Sequence, residues 1–186
     1  MKIYPHTVNQ RQRWLHKPFA CRRDHAWLIN HDSLTARLQQ RYVQFSVQTQ
    51  SMRLARAMQD EIQLLGLKPH QLATVREVRL IGNQQAVVFA HSVIPRKALR
   101  GQWHRLARLG NQPLGALLFA NPQVKRTPLR YKKLTQQHQL YQKAVAHLNH
   151  APTYLWARRS VFYLNCASIH RASILVTEVF LPQLYE

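Results

Sequence analysis

The chain has 186 residues, of which 46% are hydrophobic and five are glycines, a composition that favours one globular domain over residues 1–186 and excludes a disordered chain. No run of about 18 consecutive apolar residues occurs, so no membrane span is predicted. The formal net charge is +20 and the sequence pI is near 11.2, so the chain should attract anions, whether nucleic acid, an anionic membrane or an acidic metabolite.

Residues 1–23 show no clean hydrophobic period and are predicted to form an extended N-terminal arm. The arm is basic and lacks the apolar block of a secretory signal, although a mitochondrial transit segment stays open as an alternative. Two cysteines, Cys21 and Cys166, lie far apart and form no CxxC motif. We therefore expect free thiols in a reducing compartment, with the cytoplasm as the location. We also expect a monomer.

The first half of the chain is predicted to contain two short helices and three strands. Good N-terminal capping residues precede both helices, Asp24 for the first and Asp32 or Ser33 for the second. Gly82-Asn83 is a hairpin signal between two β-rich runs. The predicted elements are a helical turn at 26–29, a helix carrying residues 34 and 38, and strands at 43–49 (continued or followed by an extended piece at 52–58), 75–81 and 86–94.

The second half is predicted to contain three helices and a final pair of strands. Pro95 and Pro113 each open a helix, and Gly110 ends the first of them. The predicted elements are helices at 95–109, 114–119 and 136–148, an extended basic piece at 123–133, and strands at 154–164 and 174–181. Strands joined by short turns, with helices between some of them, predict an α+β fold with a single antiparallel sheet of about six strands.

The last strand carries a carboxylate between apolar neighbours. Successive side chains point to opposite faces, so Glu178 shares a face with Val176 and Phe180. A carboxylate in such a place is unfavourable unless it is paired, hydrogen-bonded or kept neutral. Glu178 is therefore a candidate site residue.

An arginine and a histidine interrupt the two strands of the predicted hairpin in the same way. With a loop of two or four residues, Arg76 faces Phe89 or His91, and His91 lies on its side of the sheet. These polar groups have two explanations. They are structural, as a buried Arg–Glu ion pair or as edge residues at solvent, or they line a small-molecule cavity with convergent polar groups. Arginine is suited to a bidentate grip on a carboxylate, so the cavity reading predicts an acidic ligand.

Other kinds of site find less support. The helix starts at Leu34 and Leu114 each present unpaired backbone amides that favour an anion, as every helix start does. The eleven histidines are scattered without ligand spacing, so no metal site is predicted. The chain has no phosphate-binding glycine loop, nucleophile motif or nucleic-acid-binding signature, and its cations are spread along it, so we expect no specific nucleic-acid partner.

Several short blocks resemble the chorismate–pyruvate lyase family in order and spacing from about Trp27 to Pro182, except through 121–152. The blocks are Trp27-Leu28, Asp32 to Thr35, Arg76 to Val78, Val93 to Pro95, Leu109-Gly110, Pro113 to Gly115, Leu118-Phe119, Leu155-Trp156, Arg158 to Ser160 and Thr177 to Pro182. The resemblance implies a sheet with helices over one face and a buried site closed by helical flaps. It implies conversion of chorismate to 4-hydroxybenzoate and pyruvate for ubiquinone biosynthesis, with neither metal nor organic cofactor.

The resemblance also implies roles for particular residues. Arg76 and the backbone amides of Leu34 and Leu114 would hold the ring carboxylate, and Glu178 would meet the oxygen substituent of the ring. In apolar surroundings Glu178 would be partly protonated and suited to general-acid catalysis, with general base or hydrogen-bond partner as the alternatives. Family members often carry arginine where this chain has His91. If that arginine helps to hold the enolpyruvyl carboxylate, His91 would hold it less firmly than arginine does, and its binding would depend on pH.

Two other functions compete with the lyase. A noncatalytic domain of similar fold would bind a small aromatic acid without turnover, and fold resemblance does not separate it from the enzyme. Such sensors usually accompany a helix-turn-helix unit, for which the first 26 residues are too short. The other alternative is a basic nucleic-acid-binding module, which would show steeply salt-dependent affinity. Arg76 and Glu178 together favour the enzyme.

Overall fold

A computed structural model describes residues 13–100, 103–164 and 173–186 of the chain. Seven strands form one antiparallel sheet in the order β1-β2-β3-β7-β6-β4, and β5 also pairs with β6. The strands are β1 Phe45–Arg56, β2 Leu72–Gly82, β3 Gln85–Pro95, β4 Val124–Arg126, β5 Arg130–Leu134, β6 Leu155–Leu164 and β7 Ser173–Phe180. The predicted α+β class and single antiparallel sheet are confirmed, and the seventh strand arises because the extended piece at 123–133 divides into β4 and β5.

Six α-helices and two 3₁₀ turns lie among the described residues. The helices are α1 His25–Leu28, α2 Leu34–Arg41, α3 Gln59–Leu65, α4 Arg96–Arg100, α5 Leu114–Ala120 and α6 Gln139–Val145, with 3₁₀ turns at His104–Arg108 and Pro182–Tyr185. Ser33 caps α2 as predicted, because its Oγ accepts from the amide of Ala36 at 3.3 Å. The predicted helix at 95–109 corresponds to α4 and the first 3₁₀ turn, and α3 was not predicted.

The β2–β3 hairpin determines which side chains share a face of the sheet. Asn83 and Gln84 form its two-residue turn, with φ values of 45° and 71°. The register then shifts by one residue and leaves Val87 as a β-bulge. Arg76 is consequently opposite Ser92, and the prediction that Arg76 and His91 share a face is wrong.

Helices cover both faces of the sheet. The cavity face, which carries Arg76 and Glu178, is packed against α1, α2, α4 and α5. The second face, which carries Glu77 and His91, is packed against α3 and α6. The expectation of helices over one face is therefore corrected: the second face also has an apolar core to cover, formed by alternate residues of the same strands.

The described part of the N-terminal arm runs along the edge of the sheet. Leu15 forms an isolated antiparallel bridge with Tyr131, and the buried Trp14 donates from Nε1 to Asp60 at 2.8 Å. Cys21 is a buried free thiol, whereas Cys166 and residues 1–12 lie outside the described residues. Within the described ranges, no helix combines the length and apolar character that crossing a membrane requires.

Candidate active site

A cavity lies on the cavity face, between two apolar clusters and beneath the first turns of α2 and α5. The empty space between its lining residues, part of which is open to solvent, is about 540 Å³. The structure brings four of the predicted site residues together in its lining, namely Leu34, Arg76, Leu114 and Glu178. The polar side chains that join them include two arginines that were not predicted as site residues, Arg126 and Arg158.

Arg76 is a buried cation without a carboxylate partner among the described residues. It lies in the middle of β2 and is 2% exposed. Its Nη2 donates to the carbonyl oxygens of Gly110 at 2.9 Å and Gln112 at 3.0 Å. Gly110 has a φ of 49°, and this left-handed conformation ends the preceding 3₁₀ turn. Burial lowers the pKa of Arg76 to about 10, and an anion in the cavity would offset that burial.

Glu178 is paired with Arg158, its neighbour across β6 and β7. The Nε atom of Arg158 lies 2.5 Å from Oε2 of Glu178. Nη1 of the same arginine donates to the carbonyl oxygens of Trp27 and Asn30, at 2.8 and 2.6 Å. These bonds hold the ion pair against the end of α1. The expected apolar surroundings of Glu178 are therefore wrong, because Glu178 forms an ion pair with Arg158.

Arg126 enters the cavity from β4. Its Nε donates to Oγ of Ser160 at 2.7 Å, and its Nη1 donates to the carbonyl of His31 at 2.9 Å. The guanidinium lies 5.7 Å from the ring centre of Phe119 and 5.1 Å from that of Phe162. Burial lowers the pKa of Arg126, and the charge of Glu178 opposes this shift. In the sequence, Arg126 was one of several cations between residues 123 and 133, and nothing distinguished it from a surface charge.

The two predicted helix starts meet at the roof of the cavity. Leu34 and Leu114 are the first residues of α2 and α5, and the first amides of a helix have no acceptor within it. Gly115 allows the close approach, because a Cβ atom there would lie only 3.1 Å from Oγ1 of Thr35. The roof thus presents backbone donors to a ligand held against Arg76.

His91 lies on the second face, outside the cavity lining. Its Nε2 is 3.2 Å from Glu61, and its Nδ1 is 3.0 Å from Glu77, which also pairs with Lys143 at 2.5 Å. Burial opposes the charge on His91, but hydrogen bonds and charges from both glutamates outweigh it and raise its pKa. The prediction that His91 binds substrate in the cavity is corrected, because the β-bulge turns its side chain to the other face.

No group of three histidine, cysteine or acidic side chains among the described residues is arranged to hold a metal ion. The segment 121–152, whose role the sequence left open, supplies β4 with Arg126, strand β5, and helix α6 on the second face. Arg158 did leave a signal in the sequence. It shares one face of its strand with Trp156 and Phe162, as Glu178 does with its own apolar neighbours.

Solved structures with a similar fold include domains of transcriptional regulators. The effector domain of PhnF from Mycobacterium smegmatis has a TM-score of 0.58 at 13% identity, covering 83% of this chain and 91% of that chain. A GntR-family transcriptional regulator from Bacillus cereus has a TM-score of 0.54 at 12% identity, covering 76% and 94%. At such low identity, these similarities show the fold alone.

Sequence comparison is more specific. A family model described as "Chorismate lyase" matches residues 12–186. Two relatives are named "Probable chorismate pyruvate-lyase". The relative from Nitrosospira multiformis is 50% identical over 165 residues, which cover 88% of this chain and 89% of the relative. The relative from Nitrosomonas europaea is 45% identical over 176 residues, which cover 94% of this chain and 96% of the relative. The match extends over nearly the whole length of both partners, through the strands and helices that form the cavity. The chain belongs to the chorismate lyase family.

Proposed function

We propose that this chain is a chorismate pyruvate-lyase, which eliminates pyruvate from chorismate and leaves 4-hydroxybenzoate. The observation that carries the proposal is Arg76, a buried guanidinium in the cavity lining that forms no ion pair within the described chain. Family membership supplies the reaction, and the cavity supplies a cation for an acidic substrate. The product would serve ubiquinone biosynthesis, as the family resemblance implies.

The ring carboxylate of chorismate would bind to Arg76. The carbonyls of Gly110 and Gln112 fix its guanidinium from behind, so little side-chain freedom is lost when the ligand binds. The first amides of α2 and α5, at Leu34 and Leu114, would complete the carboxylate site from above. A bidentate guanidinium bond together with backbone donors would set the angle of the ring in the cavity.

The reaction breaks the ether bond between the ring and the enolpyruvyl group and removes one ring proton, which finally resides on the methyl group of pyruvate. Aromatisation of the ring supplies the driving force, so the protein has to orient the substrate and stabilise charge at the departing oxygen. We assign Glu178 to the ring hydroxyl. Arg158 binds Oε2 of Glu178, and Oε1 has no hydrogen-bond partner among the described residues, so it can accept from a ligand. Proposed in this way, the reaction calls on neither a metal nor an organic cofactor.

A cytoplasmic monomer remains our proposal for location and assembly. The free thiol of Cys21 supports a reducing compartment.

The first test is to incubate purified, metal-free protein with chorismate and to follow 4-hydroxybenzoate and pyruvate by chromatography. We expect equimolar amounts of both products. Arg76→Ala should lower kcat/KM by about two orders of magnitude, the effect of losing about 3 kcal/mol from a charge-assisted bidentate bond. Arg53→Ala is the matched control, because Arg53 is an exposed arginine of β1 outside the cavity lining.

The similar fold of the regulator effector domains makes a noncatalytic sensor the second candidate. Saturable binding of 4-hydroxybenzoate without turnover of chorismate would favour that function and overturn the lyase. A failure of both turnover and binding, with tight and salt-dependent nucleic-acid binding, would instead favour the third alternative.

A further inference from the structure

The cavity contains more positive charge than the ring carboxylate requires. Arg158 is paired with Glu178, but neither Arg76 nor Arg126 has an ion-pair partner among the described residues. Asp32, which also lines the cavity, is exposed and bonded to Asn30. Two cations in one cavity therefore lack a carboxylate, which suits a ligand with two carboxylates.

The two arginines belong to strands that are separated by three others in the sheet, Arg76 to β2 and Arg126 to β4. Arg76, Ser92, Val176 and Ser160 are direct neighbours across β2, β3, β7 and β6. Arg126 comes from β4 beyond that row and donates to the hydroxyl of Ser160 at 2.7 Å. Three strand spacings of about 4.8 Å separate the backbones of the two row ends by about 14 Å, and long side chains from both ends reach into the same cavity.

Contacts around the guanidinium of Arg126 orient it and leave part of it available. Nε and Nη1 donate to Ser160 and His31, whereas Nη2 has no partner among the described residues. The ring centres of Phe119 and Phe162 lie 5.7 and 5.1 Å from the guanidinium carbon, and the two rings limit its hydration. A guanidinium held in this way can receive a second carboxylate with its remaining N–H donors.

We propose that Arg126 binds the enolpyruvyl carboxylate of chorismate and thereby distinguishes the substrate from 4-hydroxybenzoate, which has a single carboxylate. This inference rests on the proposed function and adds a specificity-determining residue to it. Glu178 belongs to β7, between the strands that supply the two arginines, so the ring oxygens of a ligand spanning them would lie near its carboxylate. The family resemblance implies His91 for this second carboxylate, but His91 lies on the other face of the sheet.

The test compares substrate and product in the same variants. For Arg126→Gln we expect kcat/KM for chorismate to fall by about 100-fold, mostly through KM, because a charge-assisted bond is lost. Calorimetry with 4-hydroxybenzoate should show a Kd changed by less than about threefold, since the product leaves Arg126 without a contact. Arg76→Ala should weaken the binding of both molecules, and Arg126→Lys should restore part of the loss for chorismate.

Two results would overturn the inference. One is an equal weakening of chorismate and 4-hydroxybenzoate in Arg126→Gln, which would mean that Arg126 supports the cavity through His31 and Ser160. The other is unchanged chorismate kinetics. If the wild-type protein binds chorismate without converting it, the proposed function fails, and the ratio of the two binding constants still decides the role of Arg126. Circular dichroism and thermal unfolding verify that each variant is folded. If Arg126→Gln is unfolded, the same comparison is made with Arg126→Lys.

Discussion

The two faces of the sheet both bury charged side chains, but they balance them differently. On the second face each carboxylate has a cationic partner: Glu61 and Glu77 contact His91, Glu77 also contacts Lys143, and Asp60 pairs with an arginine of β6. On the cavity face one ion pair, Arg158 with Glu178, leaves Arg76 and Arg126 without carboxylate partners in the described chain.

Alternate residues of the same strands form both arrangements, so the difference lies in charge balance rather than in burial. The free-energy cost of desolvating a paired charge is offset by its partner within the protein. For an unpaired cation in a cavity, this cost is offset only when an anion binds. The second face is therefore expected to contribute to folding, and the cavity face to ligand binding. Identical substitutions on the two faces should separate these effects.

The largest effect is expected from Glu178→Gln. The substitution keeps the size of the side chain and removes its charge and its ability to accept a proton. If Glu178 takes part in proton transfer, kcat should fall by about 10² to 10⁴, the usual contribution of a positioned acid or base. The measurement is single-turnover formation of 4-hydroxybenzoate. Near-full turnover would limit Glu178 to hydrogen bonding.

Glu77→Gln is the same chemical change on the second face and should act on stability instead. It leaves His91 and Lys143 around a neutral amide in a largely buried position. Removing one partner of a buried ionic cluster costs about 3 kcal/mol, which urea unfolding can measure directly. At a temperature where the variant is folded, its kcat should stay near the wild-type value. A large loss of kcat in the folded variant would contradict the separation of the two faces.

Much of this arrangement follows from sequence patterns that the pleat of a strand makes reliable. Alternation placed Glu178 on one face with Val176, and capping chemistry located the start of α2 at Leu34. The helix start at Leu114 followed from the proline before it. These features depend on residues close together in the chain, which is why they are readable without the tertiary structure.

The errors involve features that the local pattern does not encode. One bulged residue, Val87, reverses the relation between Arg76 and His91, and both faces of β3 are apolar enough to hide it. Arg126 is one cation among many in its segment, and only the pairing of β4 with β6 brings it to the cavity. The seven-residue helix α3 is too short for a clear hydrophobic period.

The smallest expected effect is the pH dependence of the cluster around His91. Glu61 from α3 and Glu77 from β2 contact its ring, Lys143 from α6 joins through Glu77, and the neighbouring residue on β7 is the uncharged Thr177. The hydrogen bonds of His91 and Lys143 outweigh burial and lower the pKa of Glu77 to about 2, so this carboxylate stays ionised near neutrality. With Glu77 ionised, we expect His91, whose pKa is raised, to carry the pH dependence of the cluster above pH 6.5.

The sign follows from the raised pKa of His91. The folded protein holds this proton more tightly than the unfolded chain, so the stabilisation is fully present below pH 6.5, the ordinary histidine value, and is lost as pH rises through the raised pKa. We expect the difference in unfolding free energy between wild type and His91→Gln to shrink as pH increases, measured by urea unfolding. His91→Arg places a permanent positive charge at this position and should remove the alkaline loss. If the stability of the wild-type protein stays constant as pH rises above 6.5, His91 is not the titrating group. If the affinity for 4-hydroxybenzoate differs between wild type and His91→Gln, the two faces of the sheet are coupled.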